Sequence, residues 1–142
     1  MSTSAVTLFK DGDDVIAVYR HRDGNPDVAG ADLMSFLGLD QEASNGSRRA
    51  DPPYLAARYV AYLADKFRQP GSDNPCDFIS CGINPGYELP PLEIPRDRAD
   101  WKFARWGEDY IYLVEETSVK VLNTTVTPPV WEDLTAVLAR NE

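Results

Sequence analysis

Tyr19, Arg20, His21, Arg22 and Asp23 stand consecutively and include the chain's only histidine. Tyr19, His21 and Asp23 are spaced by two, so on a strand that reaches so far their side chains share one face. Such a Tyr-His-Asp row suits a small polar ligand, or lets His21 act as a base oriented by Asp23. The competing assignment gives His21 and Asp23 to hydrogen bonds that hold a turn, and Tyr19 to the core. A hydrolytic triad needs a nucleophile on a strained turn, and no Gly-x-Ser-x-Gly is present.

Other polar clusters are weaker. Ser44-Asn45-Gly46-Ser47-Arg48-Arg49 offers amides and two guanidinium groups to an anion. It lacks the Gly-Lys-Ser/Thr ending of a P-loop and follows no strand. Asp11, Asp13 and Asp14 resemble the start of a calcium loop without its glycine or its terminal glutamate. Arg96, Asp97 and Arg98 read as exposed mixed charges. Cys76 and Cys81 form no Cys-x-x-Cys pair, and one histidine cannot complete a Cys/His zinc set. The thiols read as reduced, and no metal or cofactor is implied. Trp101, Phe103, Trp106, Tyr110 and Tyr112 could stack nucleic-acid bases, but Glu108, Asp109, Glu115 and Glu116 surround them. Cross-strand packing fits these aromatics better.

The elements that would position these groups follow from periodicity. Val6–Lys10 and Asp14–His21 read as strands joined at Asp11-Gly12-Asp13, where glycine supplies a positive φ. Ile16, Val18 and Arg20 point to one face, and Val15, Ala17, Tyr19 and His21 to the other. Asp23-Gly24-Asn25-Pro26 turns the chain. Gly30–Leu37 has helical spacing and is expected to stop at Gly38, before a polar loop over Asp40–Ala50. A second helix begins after Asp51 with Pro52 first and Leu55, Tyr59, Leu63 and Phe67 on one face. A buried strand is expected over Asp77–Ile83, and a long irregular loop over the proline-rich stretch Asn84–Asp100. Strands follow at Trp101–Arg105, Asp109–Glu115 and Ser118–Asn123. A last helix capped by Thr127 buries Val130, Leu134, Val137 and Leu138.

This order predicts a single α+β domain over residues 1–142. Its sheet is mostly antiparallel, of about five to six strands, with three helices packed mainly on one face. Parallel crossovers stay open around Phe78. The 142 residues suffice for one hydrophobic core, and the formal charge of −9 opposes binding nucleic acid over a broad surface. An acidic surface suits solubility, a basic protein partner, or competition with nucleic acid for a basic groove. No signal peptide or membrane-length apolar run is seen, so a cytoplasmic location is expected.

Tyr19-Arg20-His21-Arg22-Asp23-Gly24-Asn25-Pro26, then Gly30 and a Leu33-Met34-x-Phe36-Leu37 helix start, resembles a Tyr-Arg-His-x-Asp-Gly-x-Pro pattern. That pattern belongs to small uncharacterised proteins of phages and prophage-bearing bacteria. Asp109–Val114 and the helix holding Leu55-Ala56-Ala57-Arg58 are similar in order to that group. The resemblance implies a mobile-element context and no known reaction. The leading expectation is a small acidic non-enzymatic protein that contacts a host protein, such as an anti-CRISPR-like inhibitor filling a basic nucleic-acid groove. The alternative is a nucleotide or small-ligand binder using Tyr19, Arg20, His21, Arg22 and Asp23, with homo-oligomerisation left open. A hydrolase or transferase built on His21 and Asp23 ranks third.

Overall fold

Strands form where β-branched and aromatic residues alternate between two apolar faces. The computed structural model describes residues 3–44, 51–67, 71, 81–84, 89–91, 93–97, 101, 108–115, 118–126 and 128–140, with backbone alone at 39–44, 81, 82 and 84. β1 (Ala5–Asp11) and β2 (Asp14–Arg20) pair antiparallel from Ala5 opposite Arg20 to Asp11 opposite Asp14. Gly12 turns the hairpin at a φ of 58°, a backbone that glycine adopts without a Cβ clash. β3 (Cys81–Asn84), β4 (Tyr110–Val114), β5 (Val119–Asn123) and β6 (Trp131–Asp133) complete a six-stranded sheet of order β3-β2-β1-β4-β5-β6. Every neighbouring pair is antiparallel except β1 and β4. The parallel pair therefore lies at the centre of the sheet, while β3, the strand nearest Phe78 in sequence, runs antiparallel to β2.

The α-helices among the described residues are α1 (Ala31–Ser44), α2 (Pro52–Lys66) and α3 (Leu134–Arg140), and the fold is α+β. All three bury apolar residues on one face of the sheet, against Phe9, Val18, Tyr112, Val114 and Val121. Tyr59 of α2 lies between Phe9 and Phe36, with ring centroids 5.7 and 5.3 Å away. Each fully buried leucine there, such as Leu33, Leu55 or Leu134, stabilises the fold by roughly 2 kcal/mol. The opposite face is built from Val6, Leu8, Ala17, Ile111, Leu113 and Leu122, with Ile94, Trp101 and Trp131 packed on it. Trp101 Nε1 donates to the Pro95 carbonyl at 2.7 Å and Trp131 Nε1 to that of Pro91 at 3.2 Å. Described parts of the proline-rich segment thus cover this face, on which no helix lies among the described residues. The alternation read from β2 and β4 matches these two faces. No helix among the described residues is long and apolar enough to cross a membrane.

Several boundaries differ from the sequence expectation. Gly38 lies inside α1 and lacks the positive φ of a helix stop. An interior glycine costs only about 1 kcal/mol, which the buried Leu33, Phe36 and Leu37 outweigh. Asp51 precedes α2 as expected, but its carbonyl accepts the Leu55 N–H at 3.0 Å while its side chain makes no cap bond. β3 is an edge strand with Ile83 55% exposed, so it is not the buried strand expected. Trp131–Asp133 pairs with β5, and α3 starts only at Leu134, where Asp133 Oδ1 accepts the N–H groups of Thr135 (2.9 Å) and Ala136 (3.3 Å). Val130 precedes that start and is 58% exposed. Trp101 belongs to no strand, and it packs on the helix-free face while Tyr112 packs under the helices, so the aromatics are not one cross-strand cluster. The expectations for Asn45–Ala50, Cys76–Ser80, Arg98, residues 102–107, Glu116 and Thr127 fall outside the described residues.

Candidate functional site

The strand-end motif begins where β2 runs out, and the end of the strand decides where each side chain goes. Arg20 is the last residue of β2 and continues the Ile16–Val18 alternation, so it points under the helices and is 4% exposed. A charge carried into that layer needs a partner. Asp32 in the first turn of α1 supplies it, with Arg20 Nη1 donating to Asp32 Oδ2 at 3.0 Å. Lys66 at the end of α2 bonds the other carboxylate oxygen. Arg20 Nε donates to the Arg22 carbonyl at 2.8 Å, and the guanidinium stands 5.1 Å from the Phe67 ring centroid. Arg20 Nη2 is buried without a hydrogen-bond partner. Burial pushes the neighbouring Tyr59 phenol up to about 12, although the Arg20 charge pulls against that shift.

Tyr19 packs on the helix-free core, and its hydroxyl lies 3.2 Å from His21 Nδ1 at the surface. Arg22 and Asp23 are exposed. Asp23 has a φ of 56°, which breaks the strand alternation, and among the described residues no hydrogen bond joins it to His21. The five motif residues are therefore divided: Arg20 on the helix side, Tyr19 and His21 together on the other, Arg22 and Asp23 at the turn. Tyr19 and His21 can share a proton or grip one polar group. Asp23 is not placed to orient the imidazole.

The rest of the motif docks backbone against backbone. Gly24 N–H donates to the Thr3 carbonyl at 2.8 Å, and the Gly24 carbonyl accepts the Tyr112 hydroxyl at 2.6 Å. A Cβ on Gly24 would stand 2.6 Å from the Ser4 carbonyl carbon and 2.8 Å from Ala5 Cβ. Only glycine fits there. Pro26–Gly30 then makes one π-helical turn that leads straight into α1. A Cβ on Gly30 would meet Leu134 Cδ1 at 2.9 Å, so this turn also seats α3. Tyr112, buried beneath it, has its phenol pKa raised far above the usual value by desolvation.

This pinned turn borders an open groove of about 350 Å³. Pro26 and Asp27 line it from the turn, and Tyr110, Val121, Asn123 and Glu132 from β4, β5 and β6. Val126 and Val130 line it from the β5–β6 connection, and Val137 and Arg140 from α3. Val126 is 48% and Val130 58% exposed. Arg140 Nη2 bonds Glu132 Oε2 at 2.6 Å in water-exposed surroundings. The Tyr110 phenol is held above its usual pKa by desolvation first, then by the Asp109 and Asp27 carboxylates.

The sequence reading placed Arg20 on the correct face but missed Asp32 and Lys66 as its partners. The signal was an acid beside Leu33 on an apolar helix face. It also missed the groove, because a helix starting at Thr127 would have buried Val130. Among the described residues no group of three or more His, Cys, Asp or Glu side chains could hold a metal ion. No protein-family model, curated protein or solved structure matches the chain.

Proposed function

We propose that the protein is a non-enzymatic binding protein of phage or mobile-element type that acts by contact with a host protein. In its concrete form it is an anti-defence inhibitor whose acidic surface opposes a basic nucleic-acid-binding groove. The observation that carries this reading is the tip of the β1–β2 hairpin. Among the described residues, pairing of β1 with β4 ends at Phe9 and Val114 and pairing of β2 with β3 at Ala17, while β1 and β2 stay paired to Asp11 and Asp14. Asp11, Asp13 and Asp14 are all exposed at this tip, in a chain of net charge −9. A cluster of exposed carboxylates steers a protein toward basic surfaces and raises its association rate.

The test is phage plating on bacteria that carry an RNA-guided nuclease defence, with and without the protein expressed. Plating is expected to recover when the protein is present. Replacing Asp11, Asp13 and Asp14 together by lysine should abolish that recovery without changing the melting temperature. Equal plating with and without the protein refutes the anti-defence reading. Full recovery by the lysine variant refutes its charge basis.

A further inference from the structure

The groove beside the Pro26–Gly30 turn gathers exposed apolar side chains between charged ones. Two of its lining residues, Val126 and Val130, are among the most exposed large apolar side chains described. Nothing in their own elements needs them there: Val130 lies outside both β6 and α3, and Val126 follows the end of β5. Exposed apolar groups rimmed by charge mark protein-contact sites more than small-molecule sites, which enclose most of their ligand. The rim is acidic at two separated points. Asp27 is exposed on the turn near Tyr110, and Glu132 stands on β6 opposite Val121 of β5. Arg140 holds Glu132, but that pair is open to water and therefore weak, so an incoming cation can replace Arg140.

From this arrangement we infer that the groove docks a basic amphipathic segment of the partner protein. An apolar side chain of that segment seats against Val126 and Val130, and its flanking lysine or arginine groups meet Asp27 and Glu132. The inference rests on the reading of the protein as a binding module and names the surface that does the binding. The acidic hairpin lies at the far end of β1, so steering and docking are separate jobs at opposite ends of the sheet. The walls are preformed, because Gly24 and Gly30 fix the turn against β1 and α3. Docking then orders few groups, which favours affinity.

The probe is a fluorescein-labelled synthetic helical peptide of leucine and lysine, with leucines on one face. Binding is read by anisotropy at physiological salt, and its location by methyl chemical shifts of the valines. Saturable binding with shifts at Val126, Val130 and Val137 is expected. Val130→Asp should weaken it at least about tenfold, the effect of losing an apolar anchor. That variant adds a negative charge, so attraction by charge alone would grow instead. Glu132→Gln should also weaken binding, and Arg140→Ala should strengthen it. Asp13→Asn with Asp14→Asn should leave it unchanged. No binding, equal weakening by the hairpin variant, or shifts outside the groove would overturn the inference. So would a peptide-free dimer that Val130→Asp dissociates, since the groove would then serve a second copy. Phage plating separates the two levels. Recovery that survives Val130→Asp refutes this docking surface and leaves the binding-protein reading standing. Failed recovery despite peptide binding in the groove refutes the anti-defence reading instead.

Discussion

Removal of the Asp32 carboxylate should be among the most damaging single changes in the molecule. Asp32 and Arg20 side chains are each 5% exposed, whereas Lys66 is 43% exposed and can turn its ammonium to water. Asp32→Ala leaves the guanidinium buried with no counter-charge, and breaking a buried pair in this way costs about 3–5 kcal/mol. For a domain of this size that is a fall in melting temperature of roughly 10–20 °C. The Arg22 carbonyl and the neighbouring Tyr59 hydroxyl stay beside the guanidinium, but both are neutral and neither replaces the lost counter-charge. Lys66→Ala should cost about 1 kcal/mol or less, as half-exposed pairs do. The double change Arg20→Met with Asp32→Leu replaces both charges with apolar volume and should recover most of the loss. Urea unfolding followed by tryptophan fluorescence, fitted with a common slope, measures all four proteins. An Asp32→Ala midpoint within about 1 kcal/mol of the parent would refute the buried-pair argument. So would a double variant no more stable than the single one.

Two further outcomes follow from glycine geometry and from the buried phenols. Gly38→Ala should stabilise the protein by about 0.4–1 kcal/mol, since Gly38 is helical with open space around its missing Cβ, while Gly24→Ala should destabilise it by about 1–3 kcal/mol or more; calorimetry on both reads opposite signs. Stability should hold up to pH 10 and fall above it, because unfolding frees Tyr59 to lose a proton at its ordinary value of 10.0 while the folded phenol keeps it up to about 12. The slope is about 1.4 kcal/mol per pH unit for each such tyrosine, and Tyr112 adds to it in the same direction, so Tyr59→Phe should make the alkaline fall in urea midpoint shallower.

The strand-end motif shows what a sequence can and cannot carry. Alternation along β2 and β4 is a local property, so the faces of Ile16, Val18 and Arg20, and of Ile111 and Leu113, were legible. The same periodicity gave α2 its buried Leu55, Tyr59 and Leu63. What the motif does was not legible, because its partners are remote in sequence. Arg20 is answered by Asp32 and Lys66, and the Gly24 carbonyl by the hydroxyl of Tyr112. A row of hydrogen-bonding side chains in one dimension looks like a site, yet the fold sends Arg20 inward and stops the strand before Asp23. The groove was hidden for the reverse reason. Val121, Val130 and Val137 look like ordinary core residues in sequence, and only the late start of α3 at Leu134 leaves Val130 exposed. That late start depends on Asp133 capping the helix while Trp131 and Glu132 pair with β5. Local helix chemistry at Asp133 and non-local strand pairing at Trp131 therefore act together to create a surface that the chain's own pattern conceals.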